Sequence, residues 1–182
     1  SSCEEAISAF GDMSRLYKIV DPELLPIIQT CVGGDDYCST FLFDHGKYRA
    51  SMTYHNIVDF PRNKGMGALR ETVTAHPLER IGQELLGRLG WNGVCEIDFR
   101  WDGISEPWLI EINPRFWGGL AQSIESGSIY PMWMYSLAID GQIEPEKPEK
   151  IDARTNNPGL MMLRMTQDFV AARDSMPAIA QA

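Results

Sequence analysis

The stretch Cys95-Glu-Ile-Asp-Phe-Arg-Trp-Asp-Gly103, followed by Trp108-Leu-Ile-Glu-Ile-Asn-Pro-Arg-Phe-Trp-Gly-Gly119, reads as two strands joined by the turn-rich run Asp102-Gly-Ile-Ser-Glu-Pro107. Strand side chains alternate between faces, so Glu111 and Asn113 project to the same side, roughly 6 to 7 Å apart at Cα. The turn centres the antiparallel pairing between residues 104 and 105, which sets Asp98 opposite Glu111. Like charges facing each other across a sheet are destabilising unless something cationic lies between them. A hard divalent ion meets that need. Mg²⁺ takes oxygen ligands in octahedral geometry; two carboxylates and an amide carbonyl supply part of the shell, and nucleotide phosphates complete it. Arg115 adds a guanidinium fork suited to bidentate recognition of phosphate or carboxylate. The flanking residues Val94, Ile97, Phe99, Leu109, Ile110 and Ile112 are apolar enough to bury the hairpin, and buried charges are rarely left unpaired. The plain alternative is a solvated surface hairpin in which Asn113-Pro114 starts a turn.

These residues carry a resemblance. Glu111-Ile-Asn-Pro-Arg115, preceded by Gly93-Val-Cys-Glu-Ile-Asp-Phe99, resembles the metal-binding end of the ATP-grasp superfamily, in particular its carbamoyl-phosphate synthetase large-subunit-like and carboligase members. By that resemblance Asp98, Glu111 and Asn113 are the metal ligands and Arg115 is the phosphate-side arginine. The run Leu25-Pro-Ile-Ile-Gln-Thr-Cys-Val-Gly-Gly-Asp-Asp-Tyr37 resembles the family's adenine hinge. Gln29, Thr30, Cys31 and Val32 would then face adenine, and Asp36 (or Asp35) would hold the ribose hydroxyls. The family usually has Glu where this chain has Thr30, a change that backbone contacts tolerate. Phe60-Pro-Arg-Asn-Lys-Gly-Met-Gly67 resembles the loop that approaches phosphates or the acyl substrate, with Arg62 and Lys64 as candidates; His55 is a secondary candidate on the strand before it. A solvated loop and an ordinary turn at Gly33-Gly-Asp-Asp36 are the bland readings of these two segments.

The resemblance implies an α+β fold: a mainly antiparallel sheet flanked by helices, forming the carboxy-terminal part of an ATP-grasp fold. Residues 1–141 would be a partial nucleotide-binding domain, with the family's glycine-rich phosphate loop, its lysines and a preceding α/β domain lying upstream of Ser1. The chain is accordingly expected to be a fragment, with residues 142–182 as linker and tail. The implied activity is an ATP- and Mg²⁺-dependent ligase, with Mn²⁺ as the alternative ion. It would activate a small-molecule carboxylate as an acylphosphate for attack by an amine or thiol. A nucleotide-binding regulatory domain and a plain interaction domain are the rival readings.

Composition narrows the classes. A net charge of −9 argues against nucleic acid as a partner, because phosphate backbones are bound by excess Lys and Arg. No run of about 18 apolar residues indicates a membrane span, and no basic-then-apolar start indicates secretion, so a cytoplasmic enzyme is expected, with homo-oligomer formation left open. The cysteines at 3, 31, 38 and 95 lack CxxC spacing and the three histidines form no zinc motif, which points to reduced thiols.

Periodicity places helices at about Ser2–Ser14, Leu78–Leu89 and Leu120–Ile139. Strands are expected at Ile27–Val32, Tyr37–Phe43, Lys47–Asp59, Gly93–Trp101 and Trp108–Asn113, and Pro158–Met165 reads as an edge strand. The middle helix is the clearest: Leu78, Ile81, Leu85, Leu86 and Leu89 form one apolar stripe, Pro77 starts it and Gly90 ends it, which places it on the back of the sheet. Trp117-Gly-Gly119 marks a strand-to-helix turn whose glycines allow close backbone approach.

Overall fold

Asp44-His45-Gly46-Lys47 closes the hairpin on which the sheet is built. His45 (φ 49°) and Gly46 (φ 79°) both take left-handed backbone, the geometry of a two-residue turn whose twist matches its strands. The turn joins β1 (Asp35–Asp44) to β2 (Lys47–Phe60), and β3 (Met66–Val73) follows. The structure, a computed structural model, describes residues 2–62, 65–143 and 150–174. It divides into two units, Ser1–Val32 and Gly33–Ala182.

In the first unit, helix α1 (Cys3–Leu16) starts at a reciprocal cap. Glu5 N donates to Ser2 Oγ (3.2 Å) and Ser2 N donates to Glu5 Oε2 (2.8 Å). A short 3-10 turn spans Pro22–Leu24. The strand expected at Ile27–Val32 does not form: these residues are coil, and all but Val32 are exposed. A short β-prone run gains nothing from extension without a partner to take its backbone hydrogen bonds.

In the second unit the six strands lie in the order β5-β4-β1-β2-β3-β6, all pairs antiparallel, with β4 at Gly93–Trp101, β5 at Trp108–Asn113 and β6 at Arg154–Asn156. Helix α2 (His76–Arg88) covers one face. Its Leu78 and Leu86 pack with Phe41, Phe43, Cys95, Ile97 and Phe99, all buried. Over the other face, α3 (Leu120–Glu125) and α4 (Tyr130–Asp140) bring Tyr130 and Trp133, together with Trp117, onto Leu42, Ala50, Met52 and Tyr54. The single helix expected over Leu120–Ile139 is thus two, broken at Gly127, whose φ of 98° no helix interior accepts. Gln122 on α3 is fully buried and fully bonded: its Nε2 donates to Thr72 Oγ1 (2.6 Å) and Ala153 O (2.7 Å), and its Oε1 accepts from Thr155 Oγ1 (2.6 Å).

Residues after 150 belong to this unit rather than trailing from it, which corrects the linker-and-tail reading of 142–182 for the described part. β6 pairs with β3, and Pro158–Asp174 is a helix, α5, not an edge strand. Asn157 Oδ1 accepts from Leu160 N (3.1 Å) and Pro158 opens the first turn, a capped helix start. The hairpin β4–β5 forms as expected but lies at the sheet edge, so Trp108, Leu109 and Ile110 are exposed rather than buried.

Candidate functional site

Antiparallel register lines up one side chain per strand in rows across the sheet. One row runs Glu111–Asp98–Cys38–Tyr54, and a neighbouring pair is Asn113–Glu96. These residues, with Asp36, Asn56, Gly67 and Arg70, line a cavity of about 290 Å³ on the face opposite α2. Arg115, just past β5, and Gly118-Gly119, just before α3, complete its wall. The pairing of Asp98 with Glu111 is the one the symmetric turn required.

Three carboxylates and an amide meet at the acidic end. Asn113 Nδ2 donates to Glu111 Oε1 (2.9 Å) and, more weakly, to Asp98 Oδ2 (3.3 Å), while Arg115 Nη2 donates to Asn113 Oδ1 (3.1 Å). Asp98 Oδ1 is buried and has no partner. Burial, with Asp36 and Glu111 adding to it, raises the Asp98 carboxyl above its ordinary value. Glu96, only 6% exposed, is pushed up to about 7, chiefly by burial, although the Tyr54 hydroxyl donates a short hydrogen bond to it. Cys38 Sγ and oxygens of Glu96 and Asp98 all lie within 4.8 Å of one another. Burial raises the Cys38 thiol well above its usual range, so it is a neutral S–H here.

A divalent ion fits this donor set. An orphaned buried carboxylate oxygen and crowded carboxylates raised by desolvation are what an oxygen-lined cation site looks like without its charge. The amide nitrogen of Asn113, turned toward two carboxylates, supplies the positive end of a dipole in the place where a cation would sit. Asp98 and Glu111 would hold such an ion, with Asn113 joining them once its amide turns to present Oδ1, and with Glu96 behind them.

The other sequence-derived candidates are placed differently. Asp36 lines the cavity and accepts from Asn56 Nδ2 (3.0 Å), whereas Asp35 is exposed and is not part of the wall. Gln29, Thr30, Cys31 and Val32 are coil in the first unit. Arg62 lies outside the cavity: its Nη2 donates to Asp168 Oδ1 (2.6 Å) and its backbone N to Gln167 Oε1 (3.1 Å) on α5. Lys64 lies outside the described residues. His55 points to the opposite face and stacks on Tyr37 at 4.6 Å, because it alternates with Tyr54 and Asn56.

Sequence reasoning missed Glu96 and Arg70. Glu96 was within reach, since it is two residues before Asp98 on the same strand and must share its face. Arg70 was not, because Met66–Val73 shows no clean strand alternation.

Residues 51–160 match the family described as ATP-grasp in the biosynthetic pathway with Ter operon. The chain belongs to this ATP-grasp family. No curated protein matches it in sequence. Among solved structures, it is similar to the biotin carboxylase domain of a thermophilic 2-oxoglutarate carboxylase, with a TM-score of 0.54 and 12% identity over 69% of this chain and 30% of that one. It is also similar to the phosphoribosylaminoimidazole carboxylase ATPase subunit of Aquifex aeolicus, with a TM-score of 0.52 and 14% identity over 75% of this chain and 43% of that one. Biotin carboxylase of Campylobacter jejuni gives 0.51 and 14% over 69% and 30%. These likenesses are of fold, and the chain spans less than half the length of each. Among the described residues, no helix of the ATP-grasp chain is long and apolar enough to cross a membrane.

Proposed function

We propose that this chain carries the metal- and phosphate-binding half of an ATP- and Mg²⁺-dependent ligase that activates a carboxylate as an acylphosphate for attack by an amine or thiol. One observation carries the reading: Asp98, Glu111, Asn113 and Arg115 converge on a single cavity in which a carboxylate oxygen, Asp98 Oδ1, is buried without a partner. When bound, the ion would neutralise phosphate oxygens and draw charge off the transferring phosphoryl group. Asp98 and Glu111 hold the position from adjacent strands, and Asn113 couples them to Arg115 by hydrogen bonds. The Arg115 guanidinium is exposed at the mouth, where its second nitrogen, Nη1, is tied to Phe116 O (3.1 Å), so the fork is oriented before a phosphate arrives. Asp36 is the proposed ribose partner. Catalysis of this kind rests on positioning and charge neutralisation more than on proton transfer.

The test is ATP turnover by the intact protein carrying Glu111→Gln, which keeps the volume and removes the charge. Turnover is expected to fall by at least a hundredfold. Mg²⁺-dependent turnover at the parental rate would overturn the assignment, and nucleotide binding with no turnover in the parent would favour a regulatory domain instead.

A further inference from the structure

We infer that Arg70 and Asn56 form a receptor for the carboxylate and ammonium groups of an α-amino acid, on the side of the cavity built by β2 and β3. The inference rests on the ligase reading for what becomes of the bound molecule, and on the geometry alone for its binding. Arg70 and Asn56 are register partners across β2 and β3 and both line the cavity. They are separated from the Asp98–Glu111 strands by β1, so about 10 Å of sheet lies between the two ends.

The Arg70 guanidinium makes no hydrogen bond or ion pair among the described residues, and its Nε is buried. Its one aromatic contact is with Tyr54, over whose ring it stands at 5.9 Å. A buried guanidinium N–H without an acceptor is costly, and Arg70, half-buried, leaves its Nε in that state, whereas Arg62 and Arg164 pair with Asp168, Arg154 with Glu71 and Arg49 with Asp44.

Asn56 supplies the complementary defect. Its Nδ2 donates to Asp36 Oδ2 (3.0 Å) and Cys38 Sγ (3.4 Å), which fixes the amide orientation, because the flipped form would set Oδ1 against the Asp36 carboxylate. Asn56 Oδ1 is then left buried and without a donor. Both orphans lie against Gly67: a Cβ there would stand 2.0 Å from Asn56 Oδ1 and 3.0 Å from Arg70 Nε, so only glycine leaves this wall intact. An unpaired donor on a cation beside an unpaired neutral acceptor asks for an anionic oxygen next to an N–H. Neither a bare anion nor a bare amine satisfies both, but an α-amino acid presents the two on adjacent carbons.

The experiment is an NMR titration of the chain labelled with ¹⁵N-arginine, following the Arg70 Nε–Hε signal against glycine, L-alanine, acetate, glycinamide and MgADP. Glycine and L-alanine are expected to move that signal saturably, at midpoints at least tenfold below those of acetate, which lacks the ammonium, and glycinamide, which lacks the carboxylate. Arg70→Lys keeps the charge but loses the Nε donor, and is expected to weaken glycine binding at least tenfold, read by calorimetry. Arg62→Lys, outside the cavity, is expected to leave it unchanged. Acetate binding as well as glycine, or a signal that responds to MgADP and to no amino acid, overturns the inference. Amino-acid binding in an intact protein that neither binds nor turns over nucleotide would keep this inference and sink the ligase reading. Nucleotide turnover without amino-acid binding would do the reverse.

Discussion

Replacing Glu96 with Gln should make the protein more stable, and the gain should depend on pH. The Glu96 carboxyl is 6% exposed and is pushed up to about 7 from an ordinary 4.5, chiefly by burial with the neighbouring Asp98 adding to it; the hydrogen bond from Tyr54, and after it Arg70 and Arg115, pull it down only in part. Between those two values the native state holds a proton that the unfolded chain has released, so stability falls as pH rises through that window. Below pH 4.5 both states are protonated and no penalty applies. Above pH 7 the full penalty applies, about 3 kcal/mol from the size of the rise. That is a large fraction of a typical domain stability of about 5 to 15 kcal/mol. Gln cannot ionise, yet it still offers an oxygen to the Tyr54 hydroxyl. Urea unfolding at pH 4.5 and pH 8.5 without divalent ions is therefore expected to show parent and Glu96→Gln close together at the acid pH and separated by up to about 3 kcal/mol at the alkaline one. Equal separation at both values would refute the argument, since the effect would then be one of packing rather than charge.

Other expectations follow from packing and placement. Gly82 on α2 faces Phe41, and an added Cβ would stand 2.1 Å from the ring, so Gly82→Ala should lower stability by about 1 to 3 kcal/mol, measured as a drop in urea midpoint at unchanged m-value. Arg62→Ala breaks the contact with Asp168 on α5 and should leave MgADP affinity unchanged by calorimetry; a tenfold loss would return Arg62 to the phosphate site.

How much of this was legible in the sequence depends on whether the signal was local. The β4–β5 pairing was readable because a short turn fixes register, and that alone put Asp98 beside Glu111. The bulge just beyond was not: Phe99 pairs with Leu109 rather than Ile110, a slip that depends on the twist of an edge strand. β3, Met-Gly-Ala-Leu-Arg-Glu-Thr-Val, carries two charges and a glycine and shows no clean alternation; it is a strand because β2 and β6 flank it, and Arg70 was hidden with it. The start of α5 was legible in principle, since Asn157-Pro158 is a cap followed by a first-turn proline, but the apolar run after it resembles a strand just as well. The break between α3 and α4 turns on the left-handed Gly127, which apolar periodicity carries straight through.

The central claim is that one divalent ion sits among Asp98, Glu111 and Asn113. Mn²⁺ added to the chain and counted by the EPR signal of the free ion tests it directly, with Asp98→Asn as the comparison. The account predicts one saturable site in the parent, tightened by ADP, and an affinity at least tenfold weaker in the variant. Equal Mn²⁺ uptake by parent and variant, or none by either with ADP present, would contradict it.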